Sequence, residues 1–168
     1  METLQIIIPL IIFVLLVIPV GKYLYKVSTF EKHFGNGFFD IIDNFIYRIC
    51  GIKKDEEMTW KQYILSIIAV NAVMAALGYL ILRTQSLHFL NPNKVGGMEQ
   101  SLTFNTVISF ITNTNLQDYS GESGVSYLSQ MTVMTFMMFT SAATGFAAAL
   151  AFMRGIIGRN KTLGNFFV

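Results

Sequence analysis

The sequence predicts an all-α membrane protein, and three observations carry that prediction. Hydrophobic residues make up 53% of the 168 and charged residues only 13%, about half the roughly 25% of a soluble domain. The apolar residues gather into three runs long enough to cross a bilayer. Between the second and third lies a shorter apolar stretch that ends in the uncharged turn "TNTN" at 112–115. The predicted architecture is therefore three transmembrane helices plus a re-entrant pore half-helix and a filter-like loop.

Crossing roughly 30 Å of hydrocarbon takes about 20 apolar residues at 1.5 Å each. Residues 3–25 meet this within an N-terminal helix of 1–27, with Pro9 and Pro19 tolerated as kinks. A cleaved secretory signal is a poor reading. Glu2 stands where a basic n-region belongs, the core is long, and Lys22 and Lys26 follow it. The segment 28–59 is polar. Gly35, Asn36 and Gly37 mark a turn, and 38–50 repeats apolar residues at helical spacing. It reads as a short helix lying on the membrane surface, with a half-buried loop as the alternative.

Residues 60–154 form one repeat. Its first span, 63–82, is anchored by Trp60, Lys61 and Tyr63 and closed by Arg83. A turn-rich stretch at 90–97 leads to 98–112, where Leu102, Thr106, Ser109 and Phe110 recur at helical intervals behind Glu99 and the N-cap candidate Ser101. A pore helix at 101–112 measures about 18 Å, too short to cross and too apolar to float in water. Re-entry resolves the conflict, because irregular backbone at membrane depth survives when packed in protein or lining a wet cavity. The last span, 127–153, ends on Arg154 and carries a small-residue stripe, Ser141, Gly145 and Ala149, that lets a helix approach closely.

Orientation follows the basic residues. Lys22, Lys26, Lys32, Arg48, Lys53, Lys54 and Lys61 flank or occupy the first loop, and Arg154, Arg159 and Lys161 follow the last span. Both segments are expected in the cytoplasm, including 155–168, with the N-terminus and 83–126 outside. A net charge of +2 without a basic run gives no reason to expect nucleic acid. Cys50 is alone, so no internal disulfide or cysteine metal site is expected. His33 and His88 read as incidental interfacial residues, and Met131, Met134, Met137 and Met138 as apolar filling.

A half-helix ending at mid-membrane aims its partly negative C-terminus inward. There the filter segment 112–116 offers the carbonyls and side-chain oxygens of Thr112, Asn113, Thr114 and Asn115, neutral ligands suited to a monovalent cation that must also leave. Asp118 and Glu122 stand beyond it at an outer mouth, where negative charge concentrates cations. Spacing alone leaves a second reading open, in which Asn and Thr only cap the half-helix. Gln130, Thr132, Thr135, Thr144 and Asn71 are open in the same way, either lining a wet path or bonding to neighbouring helices.

Helix, pore half-helix, polar turn and helix together resemble the membrane–pore–membrane repeat of the potassium channel and transporter superfamily. The words at 58–63 "MTWKQY", 90–92 "LNP", 104–122 "FNTVISFITNTNLQDYSGE", 126–131 "SYLSQM", 141–145 "SAATG" and 162–165 "TLGN" resemble, in order, the N-terminal part of the potassium-transporting ATPase A subunit, KdpA. That resemblance implies a K+-binding and translocating subunit, not itself catalytic, in a P-type complex of the bacterial plasma membrane. It also implies an ATP-hydrolysing B subunit, a C subunit and a small F peptide as partners, with K+ as cargo and no organic cofactor.

On the same resemblance, Thr112, Asn113, Thr114 and Asn115 form the first of four filter strands, with Asn113 and Thr114 contributing most to coordination. The sequence departs from the family pattern at Leu116, where an aromatic is expected. It also holds one pore repeat of the four, so a piece of a longer chain or a truncated gene product is expected. Two other functions stay open: a homo-oligomeric one-repeat cation channel, and a non-transporting membrane fragment. No nucleotide-binding glycine loop or Ser/His/Asp grouping suggests an intrinsic enzyme.

Overall fold

The computed structural model describes residues 2–29, 31–32, 34–158 and 162–168. His33, Arg159 and Lys161, which entered the expectations above, lie outside the described residues. All regular structure among the described residues is helical, and the chain divides into two compact units, 1–54 and 55–168.

In the first unit, α1 (Glu2–Ser28) runs unbroken through Pro9 and Pro19. Its apolar side chains from Leu4 to Leu24 are exposed, the condition of a helix meant for lipid rather than water. At its end the Ser28 and Thr29 hydroxyls donate to Leu24 O (2.7 Å) and Tyr25 O (3.0 Å). Helix α2 (Asn36–Cys50) begins two residues before the expected start because Gly35 turns the chain with φ 95°, and it stops at Gly51 with φ 67°. Both angles suit a residue without a Cβ. Phe38, Ile42, Phe45 and Ile49 share one face, with Asp40, Asp43 and Asn44 opposite, and none of its residues is buried.

The second unit is built from α3 (Trp60–Arg83), α4 (Gln100–Ile111) and α7 (Phe136–Ile157). Together with α1, these include three helical segments long and apolar enough to cross a membrane: 4–28, 60–83 and 127–157. Thr59 and Gln62 start α3 as a reciprocal capping box, Thr59 N donating to Gln62 Oε1 at 2.9 Å. The segment 127–157 extends four residues past the expected end of the last span. A single helical turn, α5 (Gly121–Gly124), precedes it, and it opens with a short α6 (Tyr127–Ser129), then a π-helical stretch Gln130–Thr135, before continuing as α7. That wider turn was not anticipated, since composition does not separate π from α winding.

Leu82, Val107, Phe110, Val133, Met134 and Met137 pack the core. In lipid such contacts gain little from expelling water, and close fit dominates. The fit is close at Gly78, where an added Cβ would run into Met137 Cε and sit 3.2 Å from Val133 Cγ1. Of the four methionines read as filling, Met134 and Met137 are in this core, whereas Met131 and Met138 are exposed.

One polar residue secures the loops outside the core. Gln85, fully buried, donates from Nε2 to Gly96 O (2.8 Å) and Gly124 O (3.1 Å) and accepts from Ser126 N at Oε1 (3.1 Å). Asn91 adds a second tie, donating to Gln85 O (3.1 Å) and Val95 O (2.9 Å). His88 faces the hydroxyls of Thr84 (3.4 Å) and Ser126 (3.5 Å). The segments before α4 and after the turn are thus fixed to each other by Gln85, with His88 to Ser126 and Leu128 N to Leu90 O (3.3 Å) as further ties, and these position both ends of the candidate site.

Candidate ion-filter turn

Helix α4 is capped by Glu99, not by the expected Ser101, and starts at Gln100. The Glu99 carboxylate reaches Leu102 N at 2.9 Å, and Ser101 Oγ donates to that carboxylate at 2.6 Å instead of capping. The Ser101 hydroxyl, followed by the backbone N–H of Leu102, holds the Glu99 carboxyl down at about 2, well below its usual 4.5. A carboxylate at a helix N-terminus is also favoured by the dipole. Thr103, Thr106, Val107, Ser109 and Phe110 form the buried face of α4, so three of its polar residues point into the unit, while Gln100, Ser101 and Asn105 are exposed. Thr103 Oγ1 donates to Glu99 O at 2.6 Å.

The turn at 112–115 is organised by the end of this helix. Asn113 N donates to Phe110 O (3.3 Å), and the amides of Thr114 (2.9 Å) and Asn115 (3.2 Å) share Ser109 O. Leu116 N donates to Ser109 Oγ (2.8 Å), which donates in return to Leu116 O (2.9 Å). Four successive amides are therefore held by α4. Asn113 (φ 57°) and Asn115 (φ 52°) are left-handed, and Thr112 between α4 and Asn113 has φ −82°. Asparagine tolerates that region better than most residues.

Alternating handedness gathers successive N–H groups on one side of a chain and leaves the carbonyls for the other. Among the described residues, no donor reaches the carbonyls of Thr112, Asn113, Thr114 or Asn115. The side chains bond among themselves: Thr112 Oγ1 lies 2.9 Å from Thr114 Oγ1, and Asn115 Nδ2 donates to Asn113 Oδ1 at 3.4 Å. All four residues are exposed within this chain, as is Leu116.

Asp118 is exposed, and Glu122 accepts from Ser120 Oγ at 3.0 Å. Ser141 is buried and reaches Asn113, whereas Gly145 and Ala149 are exposed, with open space where a Gly145 Cβ would stand. Asn71 Nδ2 donates to Ile67 O at 2.8 Å, and Thr132 and Thr144 return their hydroxyls to their own helix. Gln130 donates to Gly121 O (2.9 Å). Ser109 and Gln85 carry the geometry without having been singled out as site residues. A serine one turn before a helix end, followed by an Asn/Thr turn, is the only local signal that pointed to Ser109. Groups of His, Cys, Asp and Glu able to hold a transition metal are not found among the described residues.

A family model described as potassium-transporting ATPase A subunit matches residues 7–168. The chain belongs to this family. Curated relatives named "Potassium-transporting ATPase potassium-binding subunit" include one from Clostridium acetobutylicum, 61% identical over 168 residues, covering all of this chain and 30% of that protein. One from Geobacillus kaustophilus is 53% identical over 160 residues, covering 94% of this chain and 28% of the relative. One from Caldanaerobacter subterraneus is 50% identical over 156 residues, covering 93% and 28%. The chain thus spans less than a third of the length of these family members.

Proposed function

We propose that this chain supplies the first ion-filter loop of a potassium-binding subunit in an ATP-driven potassium uptake complex of the bacterial plasma membrane. The observation that carries the reading is the turn at 112–115. Its amides are held by α4, its handedness alternates, and its carbonyls accept no hydrogen bond from the described residues. Uncharged carbonyls replace the hydration shell of a monovalent ion without holding it as carboxylates would. The α4 C-terminus adds its partial negative charge at the same place. Asn113 and Thr114 contribute most to coordination, and Asp118 and Glu122 draw cations to the mouth. The relatives' names supply the ion, since they are called potassium-binding subunits.

In this reading α4 enters from outside and turns back, the N-terminus is outside, and 28–59 and 155–168 face the cytoplasm. The first segment, 1–27, serves as an additional span before the repeat at 60–154. One loop cannot enclose an ion, so three further loops complete the filter. ATP is hydrolysed by a B subunit, with a C subunit and a small F peptide in the assembly. Catalysis and organic cofactors are not assigned to this chain.

Asn113→Asp in a full-length subunit carrying this segment, assembled with its partners, tests the proposal. A new charge at the turn should shift potassium half-saturation of ATPase activity by about tenfold, since hydrogen-bonded charged ligands differ from neutral ones by roughly 1–2 kcal/mol. Unchanged half-saturation and unchanged K+/Na+ selectivity would remove Asn113 from the filter.

A further inference from the structure

We propose that Ser141, on the span that follows the turn, is a positioning residue that sets the ion selectivity of the turn through Asn113. The inference rests on the filter reading of Asn113 given above. Ser141 is buried at 4% exposure, and its Oγ donates to Asn113 Oδ1 at 3.3 Å. The same Oδ1 accepts from Asn115 Nδ2 at 3.4 Å. One oxygen therefore gathers a hydroxyl from α7 and an amide from the second left-handed asparagine. Both left-handed positions are thereby linked to a residue of α7 that lies 28 positions beyond Asn113.

Among the described residues, this is the one side-chain hydrogen bond joining 112–115 to α7. The neighbouring hydroxyls do something different. Thr140 donates to Phe136 O (3.2 Å) and Thr144 to Thr140 O (2.8 Å), both within their own helix. Ser141 has one proton and two acceptors at 3.3 Å, Asn113 Oδ1 and Met138 O. When Met138 O takes the proton, Asn113 loses its tie to α7. A left-handed non-glycine residue persists where its surroundings hold it, and the amide bonds to α4 fix the backbone without fixing the Asn113 side chain. Selectivity among alkali ions depends on the number and placement of coordinating dipoles. An Asn113 side chain held only by Asn115, itself part of the exposed turn, loosens that placement.

Substitutions that separate hydroxyl from volume test this in the full-length subunit assembled with its partners. Ser141→Thr keeps the hydroxyl and adds a methyl group; Ser141→Val has the same shape without it. The readout is the ratio of half-saturating K+ to half-saturating Rb+, with maximal rate measured alongside. Ser141→Val and Ser141→Ala should each change the ratio about three- to tenfold, the worth of one ordinary hydrogen bond. Their maximal rates should stay within about twofold, and Ser141→Thr should keep the parent ratio.

Equal ratios for the valine and threonine variants would overturn the proposal, because a packing role depends on volume alone. If the valine variant does not assemble, the alanine variant decides, since it removes the hydroxyl without adding bulk. Asn113→Asp measured in parallel separates the two levels. A shift there with none in Ser141→Ala rejects the role of Ser141 and keeps the filter. No shift in either rejects the filter reading itself.

Discussion

Replacing Ser109 with alanine removes both hydrogen bonds that its hydroxyl exchanges with Leu116, at 2.8 and 2.9 Å. Ser109 O would remain, still accepting from the amides of Thr114 and Asn115. The loss is therefore confined to the far end of the turn. Each bond is worth about 1 kcal/mol net, and the Leu116 N–H is left without its acceptor. Together they amount to about 2 kcal/mol, or roughly a 30-fold rise in local opening at 116. Hydrogen exchange of the subunit in lipid nanodiscs reads this directly. The Leu116 amide should exchange about 10–30 times faster in Ser109→Ala, while the amides of Thr114 and Asn115 change less than about threefold. Equal acceleration at all three positions, or none at 116, would refute the view that this hydroxyl pins the end of the turn.

Gln85→Leu should lower stability by about 3 kcal/mol or more, because Ser126 N and two glycine carbonyls lose a buried partner; thermal unfolding in detergent checks it. Gly97→Ala places a Cβ 2.5 Å from the backbone carbonyl of Arg83 and should cost about 1–3 kcal/mol. Gly78→Ala should be milder in the same assay, since the Met137 methyl in its way ends a flexible side chain. The Glu99 carboxyl is held at about 2 against 4.5 in the unfolded chain. A depressed acid stabilises above its unfolded value and loses that contribution as pH falls through its folded one. Unfolding followed by circular dichroism should therefore show stability declining between about pH 4.5 and 2, with a smaller decline in Glu99→Gln.

The spans were legible because length and hydropathy decide them, and neither depends on distant partners. The N-cap of α4 lies two residues before the expected Ser101, and the helix starts one residue early, for a local reason. Serine is the commoner cap, but here the longer Glu99 side chain reaches Leu102 N, and Ser101 serves the carboxylate. The π-helical winding at Gln130–Thr135 left no trace in composition. Gln85 was invisible because its acceptors lie 11 and 39 residues away. The alternation of Thr and Asn matches the backbone of the turn, since asparagine tolerates the left-handed conformation found at 113 and 115. In the sequence Ser141 stands out only as a small residue in a stripe, while the structure gives its hydroxyl a partner in the turn.

Anomalous scattering from rubidium-soaked crystals of the full-length complex would test the central claim most directly. The account predicts an ion in direct contact with carbonyl oxygens of the 112–115 turn, Asn113 and Thr114 among them. Rubidium located elsewhere in the subunit, with those carbonyls hydrogen-bonded to ordinary surface water, would contradict it.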